Sequence, residues 1–208
     1  MNKLLGLFLL WIVCLVPSLA NSAALFAVCT TACTWDNTST AMWSTLSGGA
    51  TGAGPPTSAD TVTLDAATCV GGTTCTITPF AGTISASTIT MSACTASTTG
   101  CILDASANNT NFTLSGANAF TSTGSGTRTL SMGNGTWTLS NAAANWNVAS
   151  ATNFTLNANS STIAFTGTGI KQFNAGTSRT YNIVTINGGA SSFVGINATT
   201  ALTIGTLT

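Results

Sequence analysis

From Thr61 onward, apolar residues alternate with Thr, Ser or Asn for four to six positions and then break at Gly, Asn or Ala-Ser. A period of two is that of a β-strand whose two sides meet different surroundings. It predicts strands over 61–65, 75–78, 87–91, 111–114, 136–139, 153–156, 181–186 and 201–204. In each, Val, Ile, Leu, Phe or Trp marks one side and mainly Thr the other. No stretch beyond the N-terminal residues carries a helical period.

These strands recur roughly every 8 to 14 residues with no long connection between them, which leaves antiparallel sandwiches or barrels and the β-solenoid. Three features favour the solenoid. Asn111-Phe112-Thr113-Leu114 and Asn153-Phe154-Thr155-Leu156 are near-identical units, asparagine stands at many strand ends where ladders form, and Asn-Gly hairpin signals are few (Asn134-Gly135, Asn187-Gly188). A coil of roughly 20 to 25 residues gives about six or seven rungs. The expected fold is therefore all-β, a parallel β-solenoid with an irregular N-terminal cap, with a β-sandwich as the alternative. Residues 61–208 form the repeats and 21–60 the cap. Ile204 to Thr208 read as strand running off the end, as in a truncated solenoid or one whose end a partner covers.

The N-terminus differs in character. Lys3 precedes an apolar run from Leu4 to Val16, and Ser18-Leu19-Ala20 sets small residues at the −3 and −1 positions of a cleavage site. Residues 1–20 read as a secretory signal peptide, with cleavage after Ala23 the second choice. The run is too short to span a bilayer, so no stable membrane insertion is expected after cleavage. Removal of the leader takes Cys14 with it and leaves Cys29, Cys33, Cys69, Cys75, Cys94 and Cys101. An even count in an exported chain points to disulfides, and the short separations favour the local pairs 29/33, 69/75 and 94/101. The chain is then secreted, periplasmic or on a cell surface.

Composition narrows the chemistry. Of 208 residues, 4% are charged, none is histidine and roughly a fifth are threonine. Without the leader the net charge is −1, which gives no basic face for nucleic acid. No metal site or cofactor is expected, since imidazole and C-x-x-C pairs are both missing. Arg128 stands in phase with Leu130 and Met132, which places a guanidinium at the mouth of an apolar row, bound to an aspartate or to turn carbonyls.

The opening segment Cys33-Thr34-Trp35-Asp36-Asn37-Thr38-Ser39-Thr40-Ala41-Met42-Trp43-Ser44, followed by Ser47-Gly48-Gly49-Ala50 and Pro55-Pro56-Thr57-Ser58-Ala59-Asp60, resembles the amino-terminal region of a group of threonine/glycine-rich β-helical repeat proteins. These occur on bacterial surfaces, in secretions and in bacteriophage particles. The resemblance implies a β-helical surface or virion-associated protein and brings no catalytic residues. The leader and six cysteines depart from the phage-particle pattern and favour an exported bacterial protein.

Two uses of Trp35 and Trp43 follow: a plug over the open end of the first rung, or a platform on which sugar rings stack. Enzymatic chemistry finds little support, because Asp36, Asp60, Asp65 and Asp104 are the only acids, and Asp60 and Asp65 on one strand would point to opposite faces. Thr-x-Thr pairs such as Thr61/Thr63, Thr76/Thr78, Thr88/Thr90 and Thr136/Thr138 open a third possibility, an ice-binding face of registered threonines. The leading expectation is a non-enzymatic structural or adhesive surface protein that contacts glycans or cell surfaces and can form a homo-oligomer or larger assembly. A carbohydrate-binding or polysaccharide-cleaving module and an ice-binding protein are the alternatives.

Overall fold

The computed structural model describes residues 22–71, 74–92, 94, 100–149 and 151–187, together with the backbone of strands at 193–197 and 203–207. Among them the chain is all strand and turn, wound into a parallel β-solenoid. The first coil holds β1 (Ala24–Ala27) and β2 (Ala32–Trp35), and β3 (Trp43–Ser44) folds back antiparallel on β1. About four full coils follow, each of three strands. They are β4 (Thr61–Leu64), β5 (Cys75–Pro79) and β6 (Thr83–Ala86); β7 (Thr88–Met91), β8 (Cys101–Asp104) and β9 (Asn111–Leu114); β10 (Phe120–Ser122), β11 (Arg128–Ser131) and β12 (Thr136–Leu139); and β13 (Asn145–Asn147), β14 (Phe154–Asn157) and β15 (Thr162–Phe165). Beyond them run β16 (Ile170–Asn174), β17 (Thr180–Ile186), β18 (Phe193–Asn197) and β19 (Thr203–Leu207).

Stacking of equivalent strands makes three sheets. The first face carries β3, β1, β4, β7, β10, β13, β16 and β18, the second β2, β5, β8, β11 and β14, and the third β6, β9, β12, β15, β17 and β19. Among the described residues the second face has no strand beyond β14, while the other two continue.

Alternation decides what each strand buries. In β4 and β12 the threonines are half-buried on the outside, and Val62, Leu64, Trp137 and Leu139 are fully enclosed. Register then piles the inward side chains into columns: Ile84, Phe112, Trp137, Ile163 and Val184 on the third face, and Ile77, Leu103, Leu130 and Leu156 on the second. Each such side chain contributes about 1.5–3 kcal/mol on burial, and it does so only when the next coil covers it, so stability comes from stacking. Aromatic rings continue the column along the axis. Trp43, Trp35, Phe112, Trp137, Trp146 and Tyr181 follow one another with centroids 5.0, 5.8, 4.0, 6.0 and 6.3 Å apart.

Asparagines tie the corners together. Asn108 Nδ2 donates to Pro79 O (2.7 Å), Asn141 Nδ2 to Ser115 O (2.8 Å) and Asn153 Nδ2 to Ser125 O (2.6 Å), in each case one coil back. In the other direction, Asn109 Oδ1 accepts from the Asn134 amide and Asn111 Oδ1 from that of Thr136.

Four features differ from the reading of the sequence. Along the third-face column the coils with strands on all three faces are 25 to 28 residues long, at or above the 20 to 25 expected, because three strands and three corners must be accommodated, whereas the step from Ile163 to Val184 is 21. The two Asn-Phe-Thr-Leu units are not equivalent, since Phe112 stacks on the third face and Phe154 on the second. Asn134-Gly135 is a corner between β11 of the second face and β12 of the third, where a Cβ on Gly135 would lie 2.1 Å from Thr110 O. Finally, β1 and β2, within the region expected to be irregular cap, already pair in parallel with β4 and β5. Gly188 and the run-off at Thr208 lie outside the described residues, as does the leader.

Candidate functional site

Trp35 ends β2 on its inward phase, and Trp43 opens β3 opposite Ala27. Both indoles are 0% exposed, so neither offers a face to a sugar. They meet edge to face, 5.0 Å apart at 73°, and Trp35 continues onto Phe112. Their Nε1–H groups find no acceptor, which suits rings whose positive edges face π-clouds better than a polar binding groove. The stacking platform is thus replaced by a plug, because the open end of an apolar column needs covering more than the surface needs an aromatic ring.

The four aspartates serve four separate turns. Asp36 Oδ1 accepts from the Thr38 and Ser39 amides, Asp65 Oδ1 from Ala67, and Asp104 Oδ1 from Ser106. Asp60 is buried at the start of β4, where Oδ1 takes the Ala23 amide (2.7 Å) and Oδ2 takes the Thr57 amide and hydroxyl (2.8 and 2.6 Å). Burial alone would raise its pKa, but the hydrogen bonds from Thr57 and Ala23 outweigh it and hold the carboxyl below its ordinary 3.8. The stability it contributes is therefore present above that ordinary value and lost as pH falls through the lower folded one. Denaturation midpoints are expected to stay level between about pH 5 and 8 and to fall below about pH 4, with Asp60→Asn flattening the acid limb. A decline that begins near pH 6 in wild-type protein would contradict this assignment.

The cysteines pair locally, Cys29–Cys33, Cys69–Cys75 and Cys94–Cys101, with Cα separations of 5.8, 5.3 and 5.8 Å. All three close the same corner, from the first face to the second, in successive coils. Cys75, Cys101, Arg128 and Phe154 are direct register partners, so Arg128 occupies in the next coil the place of a half-cystine. Its guanidinium is fully buried and bridges Ser122 Oγ (3.0 Å), Gly124 O (3.0 Å) and Thr152 O (2.9 Å), which joins its own corner to the following one. Carbonyls, not a carboxylate, receive the charge. Burial pushes its pKa down, and the like charge of Arg179 adds to that.

Arg179 continues the column. It donates to Phe154 O and Ala151 O and lies 4.8 Å over the Phe154 ring. An ammonium cannot reach three acceptors in two coils, so Arg128→Lys is expected to lower stability by about 1–3 kcal/mol, read as a lower urea midpoint with unchanged slope. An unchanged midpoint would show that the guanidinium bridges are not holding the corner.

Lys171 points inward in β16 and donates to Gly169 O (2.9 Å). Neither Arg179 nor Lys171 is among the residues that the sequence marks as candidates. Lys171 carried a legible signal, its two-residue phase with Phe173, whereas Arg179 sits in a corner where no period applies. Tyr181 is buried, accepting from Trp146 Nε1 and donating to Ala175 O, and burial raises its pKa. It floors a shallow open cavity of about 260 Å³ between the end of β14 and the start of β17.

The described surface is mainly hydroxyl and amide, with Leu46, Val70 and Ile170 the large apolar side chains left exposed. On the third face Ser85, Thr113, Thr138 and Thr185 lie along one register row that the buried Ala164 interrupts, and Thr83, Asn111, Thr136 and Thr162 lie along another that ends at Ile183. On the first, Thr61 and Thr63 lie in register with Thr88 and Thr90, and Thr121 follows Thr90. Among the described residues, no Asp, Glu, Lys or Arg stands on the strands of the third face. No protein family, curated protein or solved structure matches the chain.

Proposed function

We propose that the protein is an exported, non-enzymatic β-solenoid that serves as a structural or adhesive element of a cell or particle surface. The observation that carries this reading is the placement of the chemistry. The described tryptophans, Arg128 and Lys171 are enclosed, aspartates brace turns, and the outer faces carry mainly Thr, Ser and Asn in register. Three disulfides fit an oxidising, extracellular setting. The leader over residues 1–20 and the Trp-Asp to Ala-Asp opening segment support the same reading. Contact with glycans would then run through hydroxyl and amide rows instead of ring stacking.

Fractionation followed by intact-mass measurement tests it. The expected species is extracytoplasmic, begins at Asn21 and carries six oxidised cysteines. A full-length cytosolic species with free thiols would overturn the reading.

A second reading, binding of ordered water at an ice surface, is favoured by the registered hydroxyl rows of the third face. Their spacing is about 4.8 Å between coils and roughly 6.6 Å between alternate residues. Freezing hysteresis that disappears in Thr138→Lys is its prediction. Freezing behaviour equal to that of an inert protein at the same concentration would remove it.

A further inference from the structure

We infer that the cystine column is a redox lock confined to the capped half of the solenoid, which couples closure of that end to an oxidising compartment. The corner between first and second faces is covalent in the first three coils and held by Arg128 and Arg179 in those that follow. The switch from sulfur to guanidinium occurs within one register column, Cys75, Cys101, Arg128, Phe154. The two halves therefore answer differently to a thiol reductant.

The Cys29–Cys33 bridge leads directly into β2, whose last residue, Trp35, is half of the plug. Opening that corner frees the plug and, with it, the apolar end of the column. In a solenoid each coil is stabilised by its own contacts and those with its neighbours, so a lock at one end acts mainly on that end. The inference concerns the disulfides alone and stands or falls apart from the surface role proposed above.

The chemistry is thiol–disulfide exchange. A dithiol thiolate attacks one sulfur of a cystine and the other leaves as thiolate and takes up a proton; the dithiol's second thiolate then attacks the reagent's own sulfur in the mixed disulfide, expelling the remaining cysteine as thiolate, which is protonated in turn, and closing a cyclic disulfide. Two electrons pass to each cystine, and the reverse reaction with an oxidised dithiol closes the lock.

Hydrogen exchange of the intact exported chain, with and without dithiothreitol, reads the lock coil by coil. Reduction is expected to speed exchange by about tenfold or more in β1, β2, β4 and β5, and by less than about threefold in β12 and β15. Equal acceleration in every coil, or none in the capped half, overturns the inference. Should reduced wild-type protein precipitate, the Cys69→Ser/Cys75→Ser variant keeps the question open to refutation: fast exchange beside that corner alone supports the lock, and a uniform change contradicts it. Arg128→Met is expected to quicken β11 and β14 in both redox states, and acceleration there only under reduction would also contradict the division.

Discussion

Trp137→Ala is expected to cost about 3–5 kcal/mol, lowering the thermal midpoint by about 10 °C. The indole is fully enclosed in the central coil, stacked on Phe112 at 4.0 Å and 19°, and edge-on to Phe120 and Trp146, each at 6.0 Å. Its loss leaves a cavity between two coils whose backbones are fixed by the ladders on all three faces, so little collapse can relieve it. Thr138, one residue further on, points outward, and Thr138→Ala should stay within about 0.5 kcal/mol of wild type. Thermal unfolding followed by circular dichroism decides the matter. Similar midpoints for the two variants would mean that Trp137 does not lie in the column.

Replacement of all six bridged cysteines by serine is expected to have an effect of similar or greater size. Each cystine closes a short loop, with sequence separations of 4, 6 and 7, and loops of that length are worth about 2 kcal/mol apiece. The sum, about 6 kcal/mol, is comparable with the whole stability of a typical domain. The serine variant should therefore lose the fold of its capped half at 37 °C while the coils held by Arg128 and Arg179 persist, with the denaturant transition of the capped half far below that of the oxidised protein. A midpoint within error of wild type would show that the corners are held without the bridges.

Much of this architecture is written in the chain at short range. Alternation in Thr61-Val62-Thr63-Leu64 and Thr136-Trp137-Thr138-Leu139 announces strands with threonine outside. Close spacing of cysteines announces local bridges, and the phase of Arg128 with Leu130 announces a cation at the edge of an apolar row. The strand pattern says which side of a strand is buried but not which strand covers it. That is why the Asn-Phe-Thr-Leu units could look like repeats of each other while lying on different faces.

Coil length follows from how many corners the chain turns before it meets itself. Corners depend on glycine clearances such as that of Gly135 over Thr110, and these are invisible until the neighbouring coil is placed. The same holds for the candidate site. Two tryptophans near a Pro-Pro segment are compatible with a platform or a plug, and only the position of β3 against β1 and of Phe112 beneath Trp35 decides between them. Arg179 acts on carbonyls of residues 151 and 154, far from it in sequence, and no local pattern marks such a contact.

In this fold the side chains best suited to stacking are enclosed, leaving the outer hydroxyl and amide rows to meet partners. Acrylamide quenching of tryptophan fluorescence on the leaderless, oxidised protein tests that enclosure most directly, because Trp35, Trp43, Trp137 and Trp146 are all 0% exposed. Emission should be blue-shifted, with a quenching slope far below that of the same protein unfolded in guanidinium. Red-shifted emission, with native quenching approaching the unfolded value, would place tryptophan on the surface and contradict it.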